Sequence, residues 1–192
     1  MKTKVKNEVR YFVKPETMAI FPHPQEKKLM SKVIEEEKEL IIDQRPLELI
    51  DYSCKYYSAS YEGRKIGTRE LIDITHKPPI IVDPVQVIYF FPTQSANNPQ
   101  CVWISHKHVY KYVSNESDQT IVTFTNNKKI TIPVSLPSFK NQLYRTGHLK
   151  TVMDSRIEEE QRRMNMVFMP PSSPQSMSMI YEQMMRNWRN QN

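Results

Sequence analysis

The sequence predicts an α+β fold: a single compact domain of mixed sheet and helix, followed by a C-terminal amphipathic helix on a Pro/Ser-rich linker. Short β-branched and apolar runs between proline and asparagine turns indicate strands, and apolar residues at spacings of three and four indicate helices. The 192 residues suit one domain, and 39% apolar residues suffice for a core. The predicted boundaries are 8–163 for the domain, 164–175 for the linker and 176–192 for the tail helix.

The first part of the chain predicts short strands that proline residues interrupt. Pro15 and Pro22 each remove a backbone donor, so they are expected to end the strands beside them. The strands are predicted at residues 9–13, 18–21, 32–36 and 39–43.

A helix is predicted at residues 46–57, because Pro46 suits a first helical position and an apolar stripe follows it. The next segment holds two of the chain's three glycines, Gly63 and Gly67, around Arg64 and Lys65. Glycine supplies backbone freedom, so this segment is interpreted as a basic glycine turn leading into a short helix near residues 69–71.

The second half predicts buried strands, a hairpin and a long helix. Asparagines and lysines at 126–129 favour a hairpin turn. Alternation along a strand places His106 and His108 on one face and Lys107 on the other. Ser138 is expected to cap the long helix, which continues through Arg163. The strands are predicted at residues 85–91, 101–104, 120–124 and 130–134.

Charge and motif content narrow the class of function. A net charge of +6 favours a polyanionic partner. The alternative is a mildly basic soluble protein without such a partner, which would carry the same charge. The chain contains no P-loop, GxSxG, HExxH or GxGxxG pattern. Cys54, His76, Cys101 and either His106 or His108 are zinc-ligand types, but their spacing is not that of a zinc finger or ribbon. We therefore expect no metal, no cofactor and no enzymatic activity.

Compartment and membrane association follow from two further features. Two cysteines 47 positions apart do not make a disulfide framework, and no apolar run is long enough for a leader or a membrane span. We expect a cytoplasmic protein with reduced thiols and no membrane association.

The candidate DNA contacts are cations at predicted turns. Arg64 and Lys65 come first, because arginine gains from the negative potential of a narrow minor groove and lysine contacts phosphate. An ordinary solvated turn is the alternative. By the same logic Arg69, Lys77 and Lys55 form the second rank. The two prolines after Lys77 either aim His76 and Lys77 at a ligand or form a structural crossover. Lys107 belongs either to a nucleic-acid contact strip or to a partly buried strand with solvated lysines.

The C-terminal segment predicts an interaction helix. Apolar residues recur at spacings of three and four, with Ser176 as the expected cap. Such a methionine-rich face docks either on its own domain or on a partner. The candidate partner-binding residues are Phe168, Met169, Ile180, Tyr181, Met184 and Trp188.

Five co-linear motifs occur in the middle of the chain: SCKYY at Ser53, SYEGRK at Ser60, HKPPI at His76, FFPT at Phe90 and CVWISH at Cys101. In order and spacing they resemble the ComK family of bacterial competence transcription factors, and the resemblance extends from about residue 32 to residue 151. It implies an activator of competence genes that binds paired A-tract/T-tract boxes, mainly through the minor groove, as a homo-oligomer. A protein-interaction module of the same fold, acting through its tail helix without activating promoters, is the alternative.

The resemblance also implies partners beyond A·T-rich promoter DNA. These are RNA polymerase and the adaptor of the Clp protease, which in the family binds a Phe-Met-containing motif. Phe168 and Met169 match the start of that motif, but Pro170 follows them directly. It further implies that the protein is associated with the nucleoid.

Overall fold

The computed structural model describes residues 10–26, 28–168 and 174–189. The chain divides into two compact units, Met1–Val152 and Met153–Asn192. The first unit combines two antiparallel sheets with helices, which confirms the predicted α+β class. The strands are β1 (Thr17–Gln25), β2 (Lys28–Glu35), β3 (Glu39–Ile42), β4 (Ile80–Asp83), β5 (Ile88–Pro92), β6 (Trp103–Ser105), β7 (Val109–Ser114), β8 (Thr120–Phe124) and β9 (Lys129–Ile132). The helices are α1 (Pro46–Tyr56), α2 (Tyr61–Ile72), α3 (Leu136–Phe168) and α4 (Pro174–Arg189), with a short 3-10 helix at His106–His108.

The large sheet has six strands in the order β3-β2-β1-β6-β5-β4, and the small sheet has the order β7-β8-β9. Because side chains alternate along a strand, adjacent residues of the large sheet serve two separate cores. Ile20, Phe90 and Trp103 enter the core that contains α1. Their neighbours in sequence, such as Phe91, enter a second core with the small sheet and Phe139 of α3. The large sheet therefore has α1 on one face and the small sheet with the start of α3 on the other.

The predicted strand at residues 9–13 is wrong for its described part, residues 10–13, which form no strand. Tyr11 and Val13 nevertheless reach the core, and the Val13 N–H donates to Oγ of Ser53 at 2.9 Å. Apolar alternation here reflects burial of an irregular segment against α1.

The expectation that Pro22 ends the second strand is also wrong, because β1 continues to Gln25. Strand β6 pairs with β1 only at Ala19 and Ile20, whereas β2 pairs along the full length of β1. Beyond Ile20 one edge of β1 is therefore unpaired, and a proline there costs no ladder hydrogen bond. Pro22 and Pro24 lie two residues apart, so both missing donors face that same edge.

The predicted glycine turn at residues 60–68 is a helix. Helix α2 runs without interruption from Tyr61 to Ile72, and neither Gly63 nor Gly67 has a positive φ. The Ser60 hydroxyl accepts a hydrogen bond from the Gly63 N–H at 3.0 Å, as expected of a helix N-cap. Asp73 ends the helix in the left-handed conformation. This capping, together with the burial of Thr68, outweighs the helix-weakening effect of two glycines.

Replacing Gly67 with alanine is expected to stabilise the protein by roughly 0.5–1 kcal/mol, because alanine restricts the unfolded chain more than glycine does. A Cβ at Gly67 would meet no atom within 4 Å. Gly63→Ala is the matched control, since a Cβ there would lie 3.2 Å from the capping Ser60 Oγ. Chemical denaturation of both variants checks this: equal stabilisation at the two positions would contradict it.

Three further boundaries differ from the prediction. Residues 85–87 form a turn in which Val85 is 87% exposed, so the strand starts only at Ile88. Ser138 and Ser176 lie inside α3 and α4 and are not their caps, since these helices begin at Leu136 and Pro174. Part of the predicted linker, residues 164–168, is helical.

Histidines 106 and 108 do not share a strand face, because residues 106–108 form a 3-10 helix between β6 and β7. His108 is buried, and its Nε2 lies 2.7 Å from the Pro15 carbonyl oxygen. His106 packs against α3, where a Cβ on Gly147 would come 3.5 Å from its Nε2. Both imidazoles therefore pack within the domain.

Candidate nucleic-acid interface

Arg64 turns toward the sheet. Its Nη2 donates to the Val82 carbonyl oxygen at 3.4 Å, and its Nε is buried with no hydrogen-bond partner among the described residues. The guanidinium is also close enough to Cys54 to influence that thiol electrostatically. In this conformation Arg64 closes the space between α2 and β4.

Two other candidate cations are paired with carboxylates on their own helices. Lys65 Nζ lies 2.8 Å from Glu62 of α2, and Lys55 Nζ lies 2.6 Å from Asp51 of α1. Exposed pairs of this kind contribute little to stability, about 0.3–0.5 kcal/mol each. They do reduce the local surplus of positive charge, so a polyanion would have to compete with Glu62 and Asp51.

The segment between α2 and β4 holds His76 and Lys77 on a rigid backbone. Lys77 has φ of 51°, a left-handed conformation that costs a non-glycine residue roughly 1 kcal/mol or more. The buried Gln142 of α3 stabilises it, because its Nε2 donates to the carbonyl oxygens of Lys77 at 3.0 Å and Pro92 at 2.6 Å. The following residue, Pro78, is buried, whereas the side chains of His76 and Lys77 are exposed.

Arg145 joins this segment from the next turn of α3, where its Nη1 donates to the His76 carbonyl oxygen at 3.3 Å. Arg69 is exposed in the last turn of α2, one turn before the segment begins. None of the side chains of Arg69, His76, Lys77 and Arg145 has a carboxylate partner among the described residues. We call these four residues the loop surface. The positive charges of Arg69, Lys77 and Arg145 are therefore available to an anion.

Sequence reasoning missed Arg145. Its contact joins residues 69 positions apart, and helical periodicity gives no reason to select it from the other cations of α3. Its position relative to His76 follows from the docking of α3 beside the end of β5, which no local pattern reveals.

Lys107 lies apart from the loop surface, exposed in the 3-10 helix. It lines a cavity of about 340 Å³ together with Tyr89, His106 and Lys150. Burial lowers the pKa of His106, and Lys150 lowers it further, so the imidazole is neutral at neutral pH. The positive charge around this cavity therefore comes from the two lysines.

Both cysteine thiols are buried and free. Burial raises the pKa of Cys54 to about 12 and also raises that of Cys101. Among the described residues no group of three or more His, Cys, Asp or Glu is arranged to hold a metal ion. The site therefore offers neither an activated thiol nor a ready metal-ligand set in the part of the chain that is described.

We expect both thiols to resist a thiol reagent such as dithionitrobenzoate in the native protein. At pH 8 a thiol of pKa about 12 has a thiolate fraction roughly a thousandfold below that of free cysteine. Labelling should be slow under native conditions and complete in denaturant. Rapid reaction of either thiol in the folded protein would contradict the conclusion that both thiols are buried and unreactive.

In the second unit, helix α4 begins two residues before the predicted start of the tail helix and covers residues 176–189 of it, while residues 190–192 lie outside the described residues. Tyr181 and Met184 are exposed, while the side chains of Phe168, Ile180 and Trp188 and the whole of Met169 lie outside the described residues. No helix among the described residues is long and apolar enough to cross a membrane.

A basic α+β domain that presents exposed cations without carboxylate partners suits a polyanionic ligand. Residues 8–158 match the family model described as ComK protein. The chain is 41% identical over 176 residues to the "Competence transcription factor" of Bacillus subtilis (strain 168), which covers 92% of this chain and 91% of that protein. The chain belongs to the ComK family, as its motifs predicted. No solved structure matches it.

Proposed function

We propose that this protein is a DNA-binding transcriptional activator of genetic competence genes. The observation that supports this most directly is the loop surface, where Arg69 and Lys77 are exposed without carboxylate partners among the described residues and Gln142 holds the backbone at Lys77. Membership of the ComK family and the likeness to a competence transcription factor over most of the chain support the same conclusion. A transcription factor of this kind is generally not an enzyme.

A loop whose backbone is fixed by hydrogen bonds, like the segment between α2 and β4, suits recognition of DNA by the shape of its groove. The minor groove distinguishes A·T from G·C pairs and little else, so specificity there depends on groove width and stiffness. Arginine gains most in the narrow minor groove of an A-tract, and lysine neutralises phosphate. We assign Arg69 to the groove and Lys77 to a neighbouring phosphate, on paired A-tract/T-tract boxes.

Arg64, Lys65, Lys55, Lys107 and His76 remain predicted contacts. For Arg64 and Lys65, contact requires that DNA displace the present partners, the Val82 carbonyl and the Glu62 carboxylate. We therefore give Arg69 and Lys77 precedence.

Binding to two duplexes of equal length tests the proposal. One contains two A-tract/T-tract boxes and the other is rich in G·C, and both are titrated across a range of salt concentrations. We expect a preference of ~10³-fold or more for the first duplex, the lower range for specific binders. Equal weak binding to both, falling steeply with salt, would leave only non-specific attraction and would overturn the proposal.

The proposed function also includes assembly of the protein into an oligomer on the promoter. Paired boxes call for a homo-oligomer, because symmetric subunits convert a fixed box spacing into specificity. RNA polymerase is then the partner in activation, and the protein works in the cytoplasm in association with the nucleoid.

A second candidate function rests on α4. The exposed Tyr181 and Met184 suit a protein partner, including a Clp-protease adaptor, and the tail would then act as a regulatory segment separate from the DNA-binding domain. Deleting residues 176–192 separates the candidates: DNA affinity should survive if the loop surface binds DNA, and loss of partner binding alone would support the interaction role. Since α3 continues to Phe168, a cut at 176 leaves that helix intact.

A further inference from the structure

The outward face of the small sheet carries a row of polar side chains that strand pairing fixes in place. Lys111 of β7 is registered with Thr123 of β8, and Thr123 with Lys129 of β9. Neighbouring strands are about 4.8 Å apart, so the backbones of the two lysines are roughly 10 Å apart. The alternate residues Val122 and Phe124 are buried, which places Thr123 on the opposite, solvent-facing side.

Both lysines of this row lack carboxylate partners among the described residues. Lys111 and Lys129 are exposed, and Lys111 Nζ lies 5.0 Å from the ring centroid of the exposed Tyr110. Aromatic rings beside lysines suit the sugar and base edges of a nucleic acid as well as its phosphates. The row thus presents two unneutralised charges on a regular sheet.

A groove beside β9 extends the positive surface. It has a volume of about 360 Å³ and lies between β9 and strands β1–β3. Within it Lys32 and Lys128 share one carboxylate, that of Glu39, with Lys32 Nζ at 2.8 Å. Hydrogen bonds from Lys128 and Lys32 lower the pKa of Glu39, so the carboxylate stays ionised. Two ammonium groups against one carboxylate leave one surplus positive charge in a concave surface, where charge acts most strongly on a polyanion.

The hairpin that carries these groups is anchored. Asn126 Nδ2 donates to the Glu36 carbonyl oxygen at 2.8 Å, which joins the β8–β9 turn to the β2–β3 turn. The Lys128–Glu39 ion pair makes a second connection at the same place. The basic row and the groove therefore keep their relative positions without a ligand, which reduces the entropy cost of binding.

We propose that this second face binds the phosphodiester backbone of duplex DNA without reading its sequence. We call it the sheet surface, and it consists of Lys32, Lys111, Lys128 and Lys129 with the hydroxyls of Thr123 and Thr131. Phosphate contacts position a protein on the duplex but carry no sequence information. The inference extends the proposed function by adding a contact that strengthens binding equally on every duplex.

The test compares Lys111→Ala/Lys129→Ala with wild type on the A·T-box duplex and on the G·C-rich duplex. Removing two phosphate contacts should reduce the slope of log affinity against log salt by about two on both, with the preference between them unchanged. The control is Lys28→Ala/Arg162→Ala, which removes the same charge from ion-paired surface positions. Thermal unfolding of each variant shows that the fold is intact.

An unchanged salt slope, or one reduced no more than in the control, would overturn the proposal that the sheet surface binds DNA. A slope reduced by about two on both duplexes supports it even when wild type shows no preference for A·T boxes, because that absence counts against the proposed function alone. A loss of affinity for the A·T-box duplex alone would show that the lysines read sequence, and it would contradict the inference.

Discussion

Replacing Arg69 and Lys77 with alanine is expected to weaken binding to A-tract/T-tract DNA by roughly two orders of magnitude or more. An arginine contact to base edges is worth about 1–3 kcal/mol, and each lost phosphate contact lowers the salt slope by about one. Arg69 and Lys77 are exposed, and no carboxylate partner holds their charge among the described residues. Stability should change little. Fluorescence anisotropy with labelled duplex, across salt concentrations, measures both quantities.

Arg64→Ala/Lys65→Ala is the informative comparison, because it removes the same number of charges from positions about one turn before Arg69 in α2. The Arg64 guanidinium contacts the Val82 carbonyl, so this variant should lower stability and affect DNA binding less. The assignment fails if the companion variant loses binding at unchanged stability while Arg69→Ala/Lys77→Ala retains it.

Gln142→Leu is expected to destabilise the protein and to release the loop that presents Lys77. The buried carbonyl oxygen of Pro92 would lose its donor, at a cost of about 1–3 kcal/mol, and the partly buried one of Lys77 would lose the same donor at a smaller cost. Without that anchor the left-handed Lys77 loses the hydrogen bond to its own carbonyl oxygen, and the Arg145 contact to His76 alone holds the loop less firmly, so DNA affinity should also fall. Denaturant titration gives the first effect, and the duplex titration, made well below the unfolding midpoint, gives the second.

Asn141→Leu provides the control for this experiment, since Asn141 is the exposed neighbour of Gln142 in the same turn of α3. It should leave both stability and affinity within a few tenths of a kcal/mol of wild type. Should Gln142→Leu lower stability but keep full DNA affinity in the folded protein, the loop would not be the DNA-contacting element.

The sequence correctly predicted those helices and turns whose formation depends mainly on interactions between residues close together in the chain. Pro46 and the apolar stripe that follows it predicted α1, and the asparagine–lysine turn predicted the β8–β9 hairpin. The segment at Gly63 and Gly67 was misread because its residue types favour a turn, whereas the Ser60 cap and the burial of Thr68 make it a helix. The Ser60 cap is a local signal, but the burial of Thr68 is not, since its hydroxyl donates to the carbonyl oxygen of Pro79.

The candidate surfaces depend still more on long-range contacts. Lys77 and Arg69 were predicted from their charge alone. The hydrogen bond from Gln142 that fixes the backbone of Lys77 connects residues 65 positions apart, so no local pattern in the sequence indicates it. Alternation within β8 would have placed Thr123 outward. Its alignment with Lys111 and Lys129 requires the register of two strand pairs, which a single sequence does not reveal.

Binding to a duplex in which inosine·cytosine pairs replace the A·T pairs of both boxes tests the central claim most directly. An inosine·cytosine pair resembles G·C in the major groove but lacks the G amino group that marks G·C in the minor groove. Recognition through the minor groove predicts that affinity stays within about tenfold of the A-tract/T-tract duplex and depends on Arg69 and Lys77. A fall to the level of the G·C-rich duplex would mean that the major groove is read, and would contradict the account.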